Sequence, residues 1–447
     1  MSTSTTSAAG PQKKPFVAIV TMFFIFAMIS FVTNMAAPFG NIWGFKYEWA
    51  GMAGNLMNFL AYLFMGIPAG NMLIKYGYKK TALIALAVGA IGLGIQLLSS
   101  VVGADVIIID GAVPTTLNLF IYLFGALVCG FCVCMLNTVV NPMLNLLGGG
   151  GNRGNQLVQM GGSCNSLAGT LTPMLVGMLI GNLTAQTSMA EVSPLVITGI
   201  IIFVVSFIII SFVKIQEPQS NLSKVKYEHS PLAFRHCLLG VIAIFFYVGI
   251  EIGIPGEMNA WLSRQSFEGA AAVAGSMAAL YWLMMLIGRL FSSAISAKVS
   301  SKVQLITVSS VAIILVLIAI FLPEDITFQS PAIDALNIKS GAVPMKCLFL
   351  FLCGLCTSVM WGGIFNLATE GLGKYTAKAS GLFMMMVVGG GVMPYIQDWI
   401  GRSVGYIESY WLIVAMLIYI LYYALIGSKN VNKDIPVSEE PFDLRDL

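Results

Sequence analysis

Charged residues are scarce in this chain, and their scarcity excludes most water-soluble folds. Only 10% of the 447 residues are charged, whereas 57% are hydrophobic, and the mean hydropathy is +0.87. A soluble globule of this length needs a polar surface that such a composition cannot supply. The formal net charge of +3 reflects basic loops and does not indicate a nucleic-acid partner.

Residues that bind metals or perform catalysis are also sparse. The two histidines, His229 and His236, lie near one central polar stretch, so the sequence predicts no metal site. All eight cysteines fall in apolar segments, including the CxxC pair Cys353 and Cys356, and we interpret them as inert buried thiols. A membrane enzyme would need a cluster of His, Asp or metal ligands at the membrane edge. We therefore predict neither an enzyme nor a bound cofactor.

Long apolar stretches fill the chain between Phe16 and Gly427. A hydrocarbon core of about 30 Å requires about 20 helical residues, and backbone amides in lipid must be paired within their own segment. The stretches have this length, so they predict an all-α, polytopic membrane protein in the lipid bilayer with about twelve transmembrane helices. The predicted spans are 16–43, 48–74, 80–101, 117–147, 155–181, 194–214, 235–262, 270–295, 303–322, 345–372, 378–400 and 406–427.

Lysine and arginine are distributed unevenly between the predicted loops. With a cytoplasmic N-terminus, 18 of the 23 fall on the cytoplasmic side. The remaining five fall outside: Lys46, Arg264, Lys339, Lys346 and Arg402. The positive-inside rule therefore predicts cytoplasmic termini for a multi-pass protein of the cell inner (plasma) membrane. The first apolar stretch has no small-residue cleavage site, so we expect a retained helix rather than a signal peptide.

A polar stretch divides the chain into two halves of six spans each. An offset of 221 residues carries Pro173 onto Pro394 and Asn145 onto Asn366, which indicates internal repetition. Transporters built from two six-helix halves hold their substrate between them. The predicted parts are a cytoplasmic tail (1–15), an N-terminal six-helix bundle (16–214), a cytoplasmic linker (215–234), a C-terminal six-helix bundle (235–427) and a cytoplasmic tail (428–447).

Side-chain amides recur inside the predicted spans. Asn137, Asn141 and Asn145 are four residues apart and share one face of span four. An amide in hydrocarbon is costly unless it faces protein or water, and it offers donors and acceptors without charge. The pattern therefore favours a polar cavity for a neutral, hydroxyl-rich ligand. The alternative for any single Asn is an interhelical hydrogen bond, and the alternative for a Tyr or Trp is packing against neighbouring helices. The predicted substrate-binding residues are Asn34, Asn137, Asn141, Asn165, Asn366, Tyr281 and Trp282.

Two acidic residues lie within span seven. Glu251 is about 24 Å from the cytoplasmic end of the span, still inside the hydrocarbon slab, and Glu257 lies closer to the outer end. Ionisable residues at this depth are rare and mark proton or substrate pathways. We predict proton coupling through Glu251 or, second, Glu257. The alternative is that each is held structurally by neighbouring helices.

Basic residues in related loops of the two halves indicate a gate. Lys79 and Lys80 follow span two, and Arg289 lies at the cytoplasmic end of span eight. We predict that these three act in a cytoplasmic gate rather than on substrate. No Arg or Lys is expected deep within a span, which argues against an anionic cargo.

Several segments resemble a known family. The loop segment GIPAGNMLIKYGYKK (66–80) resembles the loop motif of the major facilitator superfamily, with neutral residues where the motif has an acid. Other segments resemble its fucose–glucose–galactose permease branch: LNTVVNPMLNLLG (136–148), CNSLAGTLTP (164–173), FFYVGIE (245–251), YWLMMLIGR (281–289) and GGGVMP (389–394). The resemblance implies a proton-coupled permease for a hexose or deoxyhexose, with spans one, four, seven and ten lining the cavity.

This chain departs from that branch at positions tied to proton coupling. Asn34 stands where the branch has an Asp, and Asn137 where it has a Glu, while Leu157 and Gly162 fall where an Arg and a Gln are expected. We therefore predict a sugar transporter, expected to be a monomer, that couples to a proton through Glu251. The alternatives are a transporter of an amino sugar or sialic acid, a facilitator, and a symporter of another cation. The other function class is a non-transporting sensor with a transporter fold, which would usually add a substantial cytoplasmic domain.

Overall fold

The computed structural model describes residues 16–110, 113–147, 151–180, 187–213, 228–265, 270–295, 299–334, 337–432 and 434–437. Every predicted span falls on a helix. The helices are α1 (Phe16–Lys46), α2 (Ala53–Leu98), α3 (Leu117–Leu147), α4 (Gly151–Ile180), α5 (Ser193–Phe212), α6 (Arg235–Ser263), α7 (Ala270–Ile295), α8 (Ser301–Phe321), α9 (Lys346–Thr369), α10 (Thr376–Met386), α11 (Gly389–Ser403) and α12 (Tyr410–Tyr422). Short 3₁₀ turns cover Glu48–Ala50, Pro231–Ala233 and Gly373–Tyr375, and a π turn covers Tyr423–Gly427.

Helix α2 contains two predicted spans. Its 46 residues are too many for one crossing, and the helix is broken at Gly77, where φ is 79° and ψ is 175°. A side chain would disfavour this positive φ, so glycine permits the turn between spans two and three. Conversely, α10 and α11 together form the single predicted span 378–400, interrupted at the start of its glycine run.

Eleven crossings among the described residues are long and apolar enough to span a membrane. The predicted span outside this set is 155–181, which lies in α4. That helix has 30 residues, but Asn, Gln, Ser, Thr and Gly lower its hydropathy. The chain is therefore a multi-pass membrane protein in which α4 is long enough to cross but unusually polar.

The helices form two six-helix bundles, as predicted. Helices α1 to α5 pack on one another, and α6 to α12 form the second set. Contacts between the bundles include those of α4 with α7 and with the strand Thr327–Asp334, of α2 with α10 and α11, and of α1 with α6. The exact predicted bounds of the tails and the linker stay a prediction.

Two loops contain short antiparallel strands that the sequence analysis did not predict. Strand β1 (Ile107–Ile109) pairs with β2 (Thr115–Thr116), and β3 (Thr327–Asp334) pairs with β4 (Asn337–Pro344) from Thr327↔Pro344 to Asp334↔Asn337. We call the side that carries these strands the outer side. The inner side is the opposite one, where α6 begins and α9 ends.

Candidate functional site

A cavity of about 40 Å³ lies between the two bundles. It is lined by residues of α1 and the start of α2 from one bundle and of α6 and α7 from the other. The lining residues are Thr33, Asn34, Met52, Asn55, Ile252, Pro255, Gly256, Asn259, Ala278 and Trp282.

Amide side chains from both bundles face this cavity. Asn34 of α1 donates from Nδ2 to the Ser30 carbonyl at 2.9 Å, which orients the amide one turn along the helix. Asn259 enters from α6 on the opposite side. Trp282 packs beside the backbone of α4, where a Cβ at Gly169 would lie 3.0 Å from its ring. Uncharged donors and acceptors beside an indole ring suit a neutral polar ligand with one apolar face.

Asn55 lines the cavity and makes a hydrogen bond between the two bundles. Pro394 has no backbone N–H, so the carbonyl of Gly390 four residues earlier loses its helical donor. Asn55 of α2 replaces that donor, since its Nδ2 donates to Gly390 O at 2.8 Å. The glycine and proline run that the sequence repeats thus creates a backbone acceptor that the other bundle binds.

Glu251 and Arg289 form an ion pair on the inner side of the cavity. Arg289 Nη2 lies 3.5 Å from Glu251 Oε1, and the two side chains are 13% and 14% exposed. The guanidinium also donates to the Gly162 carbonyl and, at 2.9 Å, to Ser166 Oγ. Gly162 and Ser166 belong to α4, so Arg289 connects the acidic residue of one bundle to the backbone of the other.

The arginine corrects one expectation from the sequence. No Arg or Lys was expected to reach the interior, yet the guanidinium of Arg289 contacts the acid that lies deepest in span seven. The backbone of Arg289 is near the inner end of α7. The long side chain extends away from that end and brings its charge inward.

The amides of α3 make hydrogen bonds within the N-terminal bundle. Asn137 Nδ2 donates to the Tyr62 hydroxyl at 2.7 Å, and Asn141 Nδ2 donates to the Asn137 carbonyl at 3.0 Å. Both amides are only half-buried. Neither residue lines the cavity, so their contact with a ligand stays a prediction.

Of the predicted binding residues, Asn34 and Trp282 line the cavity. Asn137 and Asn141 of α3 do not line it, and three more lie elsewhere. Tyr281 is fully buried, and its hydroxyl lies 2.9 Å from Thr357 Oγ1 within the C-terminal bundle. Asn366 is exposed near the inner end of α9, 3.5 Å from Ser301 Oγ. Asn165 donates to the Phe26 carbonyl at 3.3 Å and ties α4 to α1. We correct their predicted placement, because none of the three lines the cavity.

The two lysines of the predicted gate have different surroundings. Lys79 Nζ donates to the Ser211 carbonyl at 2.7 Å, where it satisfies an unpaired carbonyl in the last turn of α5. Lys80 is exposed. A role of either residue in gating stays a prediction.

Asn259 and Asn55 line the cavity, although the sequence analysis did not predict them there. Asn259 lies eight residues after Glu251, which places both on one face of α6. That spacing was the available signal. Asn55 is an amide within predicted span two, but its partner is a backbone carbonyl, which no side-chain pattern reveals.

Comparison with known proteins identifies the family. The family model described as Major Facilitator Superfamily matches residues 17–394 of this chain. The chain belongs to the major facilitator superfamily. The predicted resemblance is thereby confirmed, as is the prediction of a transporter rather than an enzyme.

Curated relatives align along almost the whole chain. A protein of Brucella abortus named glucose/galactose transporter is 27% identical over 422 residues, covering 92% of this chain and 94% of the relative. A putative glucose/galactose transporter of Helicobacter pylori is 27% identical over 429 residues, with 92% and 96% covered. The L-fucose-proton symporter of Escherichia coli is 21% identical over 440 residues, with 91% of each covered.

Solved structures share the fold. The E. coli fucose:proton symporter superposes with a TM-score of 0.65 at 16% identity, over 94% of this chain and 100% of that structure. The E. coli xylose transporter in an inward-open conformation gives a TM-score of 0.67 at 11% identity, over 94% and 97%. These likenesses establish the two-bundle architecture.

Proposed function

We propose that this protein imports a neutral hexose or deoxyhexose by alternating access, coupled to protons through Glu251. The observation that carries the proposal is the cavity between the bundles, lined by amides of both and by Trp282. The names of the curated relatives support a sugar as cargo. The buried pair of Glu251 and Arg289 supports a charged coupling site next to that cavity.

Two alternatives involve a different cargo or a different driving force. An anionic sugar such as a sialic acid would use Arg289 as its counter-charge. However, Glu251 already neutralises that guanidinium, and this pairing favours a neutral cargo. A facilitator or a symporter of another cation would leave the proton chemistry of Glu251 unused.

The cargo can be tested by counterflow in proteoliposomes. Vesicles preloaded with unlabelled glucose, galactose, fucose or a sialic acid are diluted into the same labelled compound at equal pH on both sides. We expect transient uptake with at least one of the neutral sugars and none with the sialic acid. Uptake of the sialic acid alone would transfer the proposal to an anionic cargo.

We also propose that the termini and the linker 215–234 are cytoplasmic in the inner (plasma) membrane, and that the protein acts as a monomer. A Leu222→Cys variant should react in intact cells only with a membrane-permeant maleimide, because the linker carries the basic residues expected inside. Labelling is read against the parent protein and its eight native cysteines. Reaction with an impermeant maleimide in intact cells would contradict this orientation.

Asn34→Ala and Asn137→Ala should each weaken the apparent sugar affinity. Loss of one hydrogen bond to a neutral hydroxyl costs on the order of 1 kcal/mol, or about fivefold in affinity. The measurement is the concentration dependence of counterflow. Asn71→Ala is the matched control, since Asn71 is exposed on α2 away from the cavity. Unchanged affinity in both variants would show that neither Asn34 nor Asn137 binds the sugar.

A further inference from the structure

A second group of charged side chains is buried at the outer end of the C-terminal bundle. Glu257 of α6 and Asp398 of α11 are each 1% exposed. Arg402 donates from Nε to Asp398 Oδ2 at 3.0 Å and is 15% exposed. Arg264, in the loop after α6, lies at the edge of the group and within its electrostatic reach.

Glu257 has an unusual environment for a carboxylate. Neither of its oxygens accepts a hydrogen bond from any residue that the structure describes. A Cβ at Gly401 would lie 2.2 Å from Glu257 Oε1, so the backbone of α11 packs directly against the carboxyl group. Ser409 is the nearby hydroxyl, but it donates to the Tyr406 carbonyl at 2.7 Å. A buried anion without donors is far more costly than a neutral acid, so this geometry fits a protonated Glu257.

The charges around Glu257 support the same conclusion. Asp398 of α11 repels a second negative charge at Glu257, whereas Arg402 and Arg264 attract one. Arg402 is already paired with Asp398, and Arg264 is exposed and solvated, so neither fully offsets the burial. The remaining titratable neighbours are the phenols of Tyr406 in the following loop and Tyr410 of α12.

The group also touches the N-terminal bundle. The Arg264 guanidinium lies 5.8 Å from the ring centre of Phe45. A Cβ at Gly51 would lie 4.0 Å from Asp398 Oδ2, and a Cβ at Gly256 would lie 3.1 Å from the methyl group of Met52. The outer end of the N-terminal bundle therefore covers this group. Separation of the bundles on the outer side would expose Asp398 and its neighbours to water.

We propose that Glu257, with Asp398, forms a second proton-binding site that must be occupied for the outer side to close. This inference rests on the proposed transport function and gives Glu257 a role other than carrying the coupled proton. When the bundles separate on the outer side, the Glu257 carboxylate takes a proton from the outer water and becomes neutral. Only then can Gly51 and Met52 of the N-terminal bundle cover the group again. The proton returns to the same side at the next opening, so it is not transported.

The site can be tested by labelling that does not depend on sugar. Met52 is buried beside Gly256, and a Met52→Cys variant reports outer opening to an impermeant maleimide added outside. With Glu257 intact, the open-to-closed ratio should rise by up to about tenfold per unit of external pH above the apparent pKa of the site. With Glu257→Gln, which is always neutral, labelling should stay low and independent of pH. Equal pH dependence in both proteins would overturn the proposal.

Two further variants sharpen the test. Asp398→Asn removes a negative charge beside Glu257 and frees Arg402, and both changes favour the carboxylate, so the labelling transition should move to lower pH. A shift to higher pH would contradict the proposal. Glu408→Gln, an exposed carboxylate at the same end, should keep the wild-type profile. Failure of counterflow with every sugar, alongside the expected labelling profiles, would refute the cargo and leave the proton site standing.

Discussion

Replacing Glu251 with glutamine should abolish accumulation of sugar against its gradient while counterflow of labelled sugar continues. Glutamine keeps the size of the side chain and can accept a hydrogen bond from Arg289, but it cannot bind and release a proton. Accumulation requires the proton gradient, whereas counterflow requires only alternating access. The measurement compares uptake under an imposed pH gradient with counterflow at equal pH, in the same proteoliposomes.

The ion pair explains why this one substitution should be decisive. A carrier group must differ in proton affinity between the two orientations of the cavity. In this structure Arg289 lies 3.5 Å from Glu251 and offsets part of the cost of burying a charged carboxylate there. An orientation in which α4 withdraws and Arg289 turns away would favour the protonated acid. Asn34 and Asn137 cannot replace Glu251 as the proton carrier, because a side-chain amide does not bind and release a proton near neutral pH.

The control is Glu48→Gln, since Glu48 is exposed in the 3₁₀ turn after α1 and should not affect accumulation. Wild-type accumulation by Glu251→Gln would rule out Glu251 as the carrier and leave a facilitator or another coupling group. Loss of both accumulation and counterflow would also count against the proposal, because it would show that Glu251 serves binding or folding instead.

The fold could be predicted because membrane insertion imposes few solutions on a sequence. Apolar stretches of about 20 residues must become helices, and basic loops separate their ends. The details in which the structure differs from the predicted spans depend on local backbone geometry. Gly77 breaks α2 through a positive φ rather than through a loop, and the run at Gly389 interrupts a single span. The strands β3 and β4 lie in a loop where no burial pattern constrains the prediction.

The candidate site was predicted less completely, because its contacts join residues far apart in the chain. Arg289 and Glu251 are 38 residues apart, and their pairing depends on how α7 lies against α6. The same limit applies to Tyr281 and Asn366. The sequence shows that each carries a polar group within a span, but not which neighbouring helix that group contacts. A single sequence shows that a polar group inside a span must have a partner. It does not show whether the partner of the Tyr281 hydroxyl is a ligand or, as the structure has it, Thr357.

Replacing Arg289 with glutamine should reduce turnover far more than it changes sugar affinity. The guanidinium binds the Gly162 carbonyl and Ser166 of one bundle and Glu251 of the other, so it stabilises one arrangement of the two bundles. Hydrogen bonds to charged groups contribute about 1.5–3 kcal/mol each. Loss of one such contact corresponds to a change in the conformational equilibrium of about tenfold or more. The maximal rate and the half-saturating concentration of counterflow separate the two effects.

Matched variants identify which contact matters. Arg289→Lys keeps the charge but cannot hold Ser166 and Glu251 together in one planar group, so it should recover turnover only in part. Ser166→Ala should reduce turnover less than Arg289→Gln, and the double variant should resemble Arg289→Gln alone if the two residues act through their hydrogen bond. Lys75→Gln, at an exposed residue of α2, should match the wild type. A defect confined to sugar affinity in Arg289→Gln would instead place the guanidinium on the substrate.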